Sequence, residues 1–476
     1  MEYSRKKTPQ RRVTALLNAE HKGCPTYLQR HDMFKFMRWN LWFCAMYRLP
    51  LESYFPVFLR FMAITLDWIY ELFLYFTLLH IDILFICTIY RNQDKDDLEL
   101  IVSCMLQAII YTWALIIKIF FKRVQAKRLG YLMEYLNAES RMHSAAGFTY
   151  VTIKESAALS NTWITVFMFC CYAGAGFWLF VPIFNQERTL PLACWYPIDY
   201  KVPIVYEIVY LLQVIGQLQI AGAFGCTSSF FLLVSVLFSG QFDILNCSLK
   251  NILATTYLNL RKPMSELIAL RNKQQSANSE LNQYYSAKEH TTDLDCIPHL
   301  LDVKSSKPRS FYAAFKRAFV PCIIHHRYIL SGLEELEKLY TFIWFLKTLE
   351  VTLLVCLVSF SWVKSTAANS FVRILSLSQY LILALWEMFM ICYSGEIIFL
   401  NSQRCDEALQ RSPWYLHSRE IKQDVLFFIL NAQRPFRLTG GKMYSLNVEK
   451  FRSILTTSFS ILTILQKMDQ RESHPK

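Results

Sequence analysis

Runs of about 20 apolar residues recur along this chain, each bounded by charge, and no other feature limits the fold so strongly. A bilayer core of about 30 Å takes roughly 20 residues of α-helix to cross. Such runs cover 58–87, 100–121, 163–184, 202–236, 340–363 and 372–400, with a short last one over 451–468. The fourth is longer than a bilayer requires, so its end is expected to project into the cytosol. The last carries Thr456, Thr457, Ser458, Ser460 and Thr463 and is the least lipid-like of the set. The chain therefore reads as an all-α membrane protein of seven transmembrane helices. Only 18% of its residues are charged, against about 25% in a soluble domain.

Basic residues set the orientation. Arg5, Lys6, Lys7, Arg11 and Arg12 precede the first span, and Lys122, Arg123, Lys127 and Arg128 follow the second. Further basic sets follow the fourth and sixth spans, whereas the alternate loops are poor in Lys and Arg. Because cytosolic loops are the positive ones, the N-terminus is expected in the cytosol. Seven crossings then leave the C-terminus extracellular, inverted relative to G-protein-coupled receptors. The same pattern explains the formal net charge of +13 without nucleic acid as a partner. The 14 cysteines fall mostly inside apolar runs, as small hydrophobes, with no paired CxxC that would suggest a metal site. His325 and His326 form no metal set and are expected to be solvated at the cytosolic start of the fifth helix. The pattern Asn246-Cys247-Ser248 is a glycosylation signal on the predicted cytosolic side, where it would go unused.

Three regions follow. Residues 1–57 form a cytosolic N-terminus in which 34–47 mixes Phe, Trp and Met with Lys35 and Arg38, as in an amphipathic helix at the interface or tucked into the bundle. Residues 58–400 form a six-helix bundle with a long cytosolic insertion at 250–330, polar in its middle. Residues 401–476 hold a cytosolic anchor segment, the seventh helix and a short outer tail.

Several blocks resemble the insect odorant receptor family. RTLPLACWYPIDYKVP at 188–203 looks like that family's second outside loop, and QFDIL at 241–245 like the end of its fourth helix. CIIHHRYILSGLEELEKLY at 322–340 is similar to the entry to its fifth helix, and CYSGEIIFLNS at 392–402 to the end of its sixth. NAQRPFRLTGGK at 431–442 and SLNVEKFRSILTTSFSILTIL at 445–465 resemble its terminal segment. The resemblance implies an odorant-gated, non-selective cation channel in the plasma membrane of olfactory sensory neurons. It implies a heterotetramer with the odorant co-receptor (Orco), whose subunits' last helices line one pore. The polar end of the last helix favours the ligand-tuned subunit. The co-receptor itself, which shares the long insertion, and a gustatory receptor are the alternatives.

The ligand is then a small volatile organic molecule, and its pocket should be largely aromatic with one or two polar groups. By the resemblance it lies in the outer half of the bundle. Tyr206, Tyr210, Gln213 and Gln217 share one face of the fourth helix. They read either as an orienting wall or as helix packing with buried hydrogen bonds. Tyr172, Gly174, Phe177 and Trp178 on the third helix are further candidates, with small-residue packing as the alternative for Gly174. Tyr111 and Tyr380 add to them from helices two and six. For the pore, Ser460, Ile464 and Met468 form one stripe, and by the resemblance Ile464 is the hydrophobic gate. The stripe otherwise packs against the bundle. Lys467 either points away from the pore or is diluted by other subunits. Lys347 and Glu350 can pair at i, i+3, and Glu387, Asp67 and Glu71 are expected to face protein rather than conduct ions. A transporter would need repeats and broken helices, neither of which is evident, and a G-protein-coupled receptor would need the opposite orientation. No catalytic set has sensible spacing, so an enzyme is not expected, nor is a cofactor. Membrane lipid is the one further partner.

Overall fold

The computed structural model describes residues 32–48, 57–92, 98–141, 153–184, 190–192, 194–260, 308–364, 371–410, 412 and 414–473. The middle of the polar insertion lies outside these. The helices are α1 (Lys35–Phe43), α2 (Val57–Arg91), α3 (Leu98–Ile119), α4 (Ala126–Glu139), α5 (Ile153–Phe184) and α6 (Val205–Lys250). They continue with α7 (Ile252–Asn259), α8 (Pro308–Lys364), α9 (Phe371–Gln410), α10 (Arg419–Ala432) and α11 (Val448–Ser473). A π-turn at Phe120–Val124 extends α3.

Every apolar run forms a helix, and most helices outrun their apolar runs. Six of the described helices, α2, α3, α5, α6, α8 and α9, are long and apolar enough to cross a membrane. The terminal α11 has the length, with 26 residues, but not the composition. Its ends carry Glu449, Lys450, Arg452, Lys467 and Asp469.

At 1.5 Å per residue, α6 and α8 extend about 69 and 86 Å, more than twice a hydrocarbon core. The extension of α6 follows the sequence expectation. That of α8 exceeds it: residues 308–339, read as insertion and helix entry, continue the same helix down the basic end of the bundle. There α8 packs against α4, α6, α7 and α10, through Phe315, Phe319, Ile329, Leu333 and Leu336. This corrects the expectation for the two histidines. His325 and His326 are 2% and 9% exposed. His325 Nε2 lies 2.8 Å from Gln241 Oε1, and the His326 ring lies against Phe428. Neighbouring helices surround them where the sequence reading placed a solvated helix start. Asn246 is buried as well, and its amide donates to Asn401 O, so the glycosylation signal is structurally enclosed.

The helix α6 forms the axis of the bundle, in contact with α1, α2, α3, α5, α8 and α9. The short α1 is tucked in rather than lying outside: Phe34, Met37, Leu41 and Cys44 are almost wholly buried. Its opposite face carries exposed Phe36, Trp39 and Phe43. After α10 the chain makes a small antiparallel hairpin, β1 (Thr439–Gly440) with β2 (Tyr444–Ser445). Its turn places Gly441 and Lys442 at φ of 61° and 57°, the left-handed region glycine enters without steric cost. The hairpin docks on α8, where Gly441 N donates to Thr341 O (2.7 Å) and the Tyr444 hydroxyl to Trp344 O (3.1 Å). It thereby fixes where α11 begins. Gly395 of α9 lies so close to Leu446 O that a Cβ there would collide with the backbone.

Candidate functional site

A cavity of about 100 Å³ lies between α3, α5, α6, α8 and α9. A cavity of this order takes a guest the size of a benzene ring. Helical periodicity delivers its walls. Gln217, Ile220, Ala221 and Phe224 present one face of α6, and Phe167, Cys171, Gly174 and Ala175 one face of α5. Gln107 and Ile110 come from α3, and Gln379, Leu383 and Ala384 from α9. The Gln379 side chain lies across Gly174, where any Cβ would meet its amide nitrogen.

Charge forms the rest of the lining: Lys347 and Glu350 from α8, and Glu387 from α9. Lys347 Nζ lies 2.6 Å from Glu350 Oε2 and 2.9 Å from Glu387 Oε2, with the Phe224 ring centroid 4.2 Å away. Ser228 Oγ donates to Glu387 Oε1 at 2.5 Å. All three charged residues are under 9% exposed. Partner and direction offset the high cost of ionic groups in a low-dielectric interior. The pairing of Lys347 with Glu350 matches its i, i+3 spacing. The third member, Glu387, comes from another helix, which no local spacing reveals.

Asp67, Glu71 and Lys118 are tied off away from the cavity. Asp67 accepts from Trp42 Nε1 and pairs with Arg48 and Lys122. Glu71 pairs with Arg123 at 2.7 Å and with Lys122. Lys118, fully buried, donates to Gln219 Oε1 at 2.6 Å.

Of the ligand candidates read from the sequence, Gly174 and Gln217 line the cavity. Five others lie elsewhere. Gln213 closes onto the loop after α5: Leu192 N donates to its Oε1 (3.0 Å), and its amide reaches the Tyr196 hydroxyl and Cys194 Sγ. The Tyr210 hydroxyl donates to Leu179 O at 2.6 Å, and Tyr206 lies against Tyr210. Tyr111 is fully buried beside Phe85. Tyr172 turns away from the cavity, its hydroxyl close to Gly222. Phe177 is half-buried and outside the lining. The side chains of Trp178, Tyr380 and Met468 lie outside the described set. Sequence reasoning passed over Gln107, Gln379, Lys347, Glu350 and Glu387 as cavity residues. Their common signal was legible: polar side chains inside apolar runs, recurring at helical spacing such as 379 and 387.

On α11 the bundle-facing line is Phe451, Ile454, Ser458 and Ile461, of which only Ile454 and Ser458 are buried. Ser460, Ile464 and Lys467 lie on the exposed side, Ile464 with 58% of its surface free. The hydroxyls of Thr456, Thr457, Ser458, Ser460 and Thr463 each bond back to a carbonyl of the preceding turn. No described residue group forms a metal cluster of three or more His, Cys, Asp or Glu.

Comparison with known proteins fits this arrangement. The sequence model of the 7tm Odorant receptor family matches residues 100–459. Odorant receptor 83a of Drosophila melanogaster is 47% identical over 451 residues, covering 93% of this chain and 97% of that protein. Putative odorant receptor 85e of the same fly is 35% identical, covering 90% of each. Two solved structures of the insect olfactory receptor OR5 from Machilis hrabei share the fold. The free form superposes with a TM-score of 0.64 at 13% identity, and the eugenol complex with 0.60 at 12%. Each covers 91% of this chain and 97% of its own.

Proposed function

The chain belongs to the insect odorant receptor family, and from that premise we propose that it is the ligand-tuned subunit of an odorant-gated, non-selective cation channel. In this reading it crosses the plasma membrane of an olfactory sensory neuron seven times, α11 being the seventh crossing, with its N-terminus in the cytosol and its C-terminus outside. It shares one pore with the odorant co-receptor in a heterotetramer. The α11 helices surround that pore, with Ile464 as the hydrophobic constriction and Ser460, Lys467 and Met468 along its length. A small volatile molecule binds in the cavity between α3, α5, α6, α8 and α9.

One observation carries the reading: α8 serves both ends of the process. Its residues Lys347 and Glu350 line the cavity, while the interleaved Trp344 and Thr348 bind Tyr444 of the hairpin that leads into α11. A ligand that shifts α8 by a fraction of a turn therefore also moves the root of the pore helix. Opening requires only that the ligand bind the open arrangement better than the closed one. A guest of about ten heavy atoms supplies micromolar-range affinity at good efficiency. The polar, loosely packed α11 fits a helix that completes its packing against other subunits and water.

Recording from cells that express the chain with and without the co-receptor tests this. A volatile-evoked cation current that needs both chains is expected, and Gly174→Leu, which fills the cavity, should abolish it. Ligand-evoked current from this chain alone would sink the tuned-subunit assignment. Tags on both termini of intact cells check the topology, and only an extracellular C-terminus is compatible with the proposal.

A further inference from the structure

Taking the cavity as the ligand site, as proposed above, we infer that the ligand is a small aliphatic or aromatic amine, bound as its ammonium. The charge count leads there. One ammonium, Lys347, stands between two carboxyl groups, Glu350 and Glu387, and among the described residues no other Lys, Arg, Asp or Glu lines the cavity. The two carboxylates are not equally satisfied. Glu387 has Ser228 on one oxygen and Lys347 on the other. Glu350 Oε2 has the Lys347 ammonium as its partner and accepts no well-aligned hydrogen bond among the described residues. That side chain is more than nine-tenths buried and borders the cavity.

The amides point the same way. Gln107, Gln217 and Gln379 border the cavity, and none is among the described residues that make a hydrogen bond. They supply carbonyl acceptors to a guest that donates. An ammonium group, with three N–H donors and one positive charge, supplies the second cation that two carboxyl groups around one lysine lack, and meets the amide oxygens as well.

An amine can also enter without carrying charge through the bilayer. With one ammonium for two carboxyl groups, a site that is neutral overall before the guest arrives has a proton on one carboxyl. A neutral amine arriving from lipid takes that proton. The carboxyl O–H bond breaks, the N–H bond forms, and an ammonium–carboxylate pair replaces an acid and an amine with no change in net charge. An alcohol or aldehyde of the same skeleton can use the amides but leaves the carboxyl as it was. A carboxylic acid would bring a third carboxyl to a single ammonium and is disfavoured by like-charge repulsion.

The test uses the full chain with its co-receptor and four matched compounds: isopentylamine, isopentanol, isovaleraldehyde and isovaleric acid. The amine should activate at a concentration at least about tenfold below the others, with the acid weakest. Glu350→Gln should raise the half-activating amine concentration about tenfold or more and change the alcohol response less than about threefold. Gln379→Leu, which leaves the ion cluster intact, should weaken the amine response severalfold and serves if Glu350→Gln fails to reach the surface. A response to the alcohol, aldehyde or acid equal to or stronger than the amine's, yet abolished by Gly174→Leu, would leave the cavity reading standing and overturn the amine. Silence toward the amine overturns it too. An amine response indifferent to both Gly174→Leu and Glu350→Gln would overturn the amine inference and the cavity reading together.

Discussion

The helices α6 and α11 are both long, yet they solve the problem of burial in opposite ways. In α6, 89% of the apolar window is covered by the rest of the chain. Several of its polar groups are satisfied from within: Thr227 donates to Ala223 O, Ser228 to Glu387, and Gln241 bonds Arg141 and His325. The helix α11 touches α8 and α9 along one narrow line, and its Ser and Thr hydroxyls fold back on their own backbone. A helix covered by its own chain holds a cavity in register. One left open can rearrange against neighbours at little internal cost. Under the proposed function, a division of labour between binding and gating follows from this packing.

Substitutions at the two helices and at the α8 junction between them should separate these roles. Lys347→Ala leaves the buried Glu350 and Glu387 without their shared ammonium and should destabilise the protein by about 3–5 kcal/mol. The exposed Lys467→Ala should stay within about 0.5 kcal/mol. Thermal unfolding in one detergent measures both, and equal losses would erase the contrast. Phe238 of α6 is fully buried against Gly332. Phe238→Ala should cost about 3 kcal/mol or more in the same assay.

Tyr444→Phe removes a hydroxyl that donates to Trp344 O and should cost about 1 kcal/mol. If α8 couples the cavity to α11, that variant should shift maximal ligand-evoked current while leaving ligand binding nearly unchanged. A pure affinity change would point away from the junction. Ile464→Ala should leave stability within about 0.5 kcal/mol but raise the leak current. An unaltered leak would remove Ile464 from the constriction.

The smallest effect is expected at the basic end. His417 stacks on Phe311, and its burial holds the imidazole pKa below the ordinary 6.5. The folded state therefore resists protonation, and stability contributed there is present above about pH 6.5 and lost as pH falls. Hydrogen exchange over residues 414–432 should quicken on acidification from pH 7.5 to 5.5, and His417→Phe should blunt that response. Exchange independent of pH in the wild type would assign the stack no such role.

Much of this was legible from residues alone. The apolar runs at 58–87 and 372–400 became α2 and α9, and the amphipathic stretch near Lys35 and Arg38 became α1. Lys347 and Glu350 were visible as a pair because both partners lie one turn apart on one helix. Other readings depended on what a helix meets. Gln213 and Gln217 share a face of α6, but Leu192, Cys194 and Tyr196 claim Gln213 one turn nearer the N-terminus of the helix, and only Gln217 reaches the cavity. His325 and His326 follow the same logic in reverse: a position that reads as solvated is enclosed once α8 continues down to Pro308.

By itself, then, the sequence determined which segments are helical, which can enter lipid and which family the fold follows, because those properties sum over some 20 neighbouring residues. The cavity, its three-membered charge cluster and the unequal burial of α6 and α11 were decided by tertiary structure alone. They depend on how helices rotate and tilt against one another, as when Ser228 meets Glu387 across 159 residues of chain. No local pattern encodes such an angle, since it emerges from the close packing of all the faces at once.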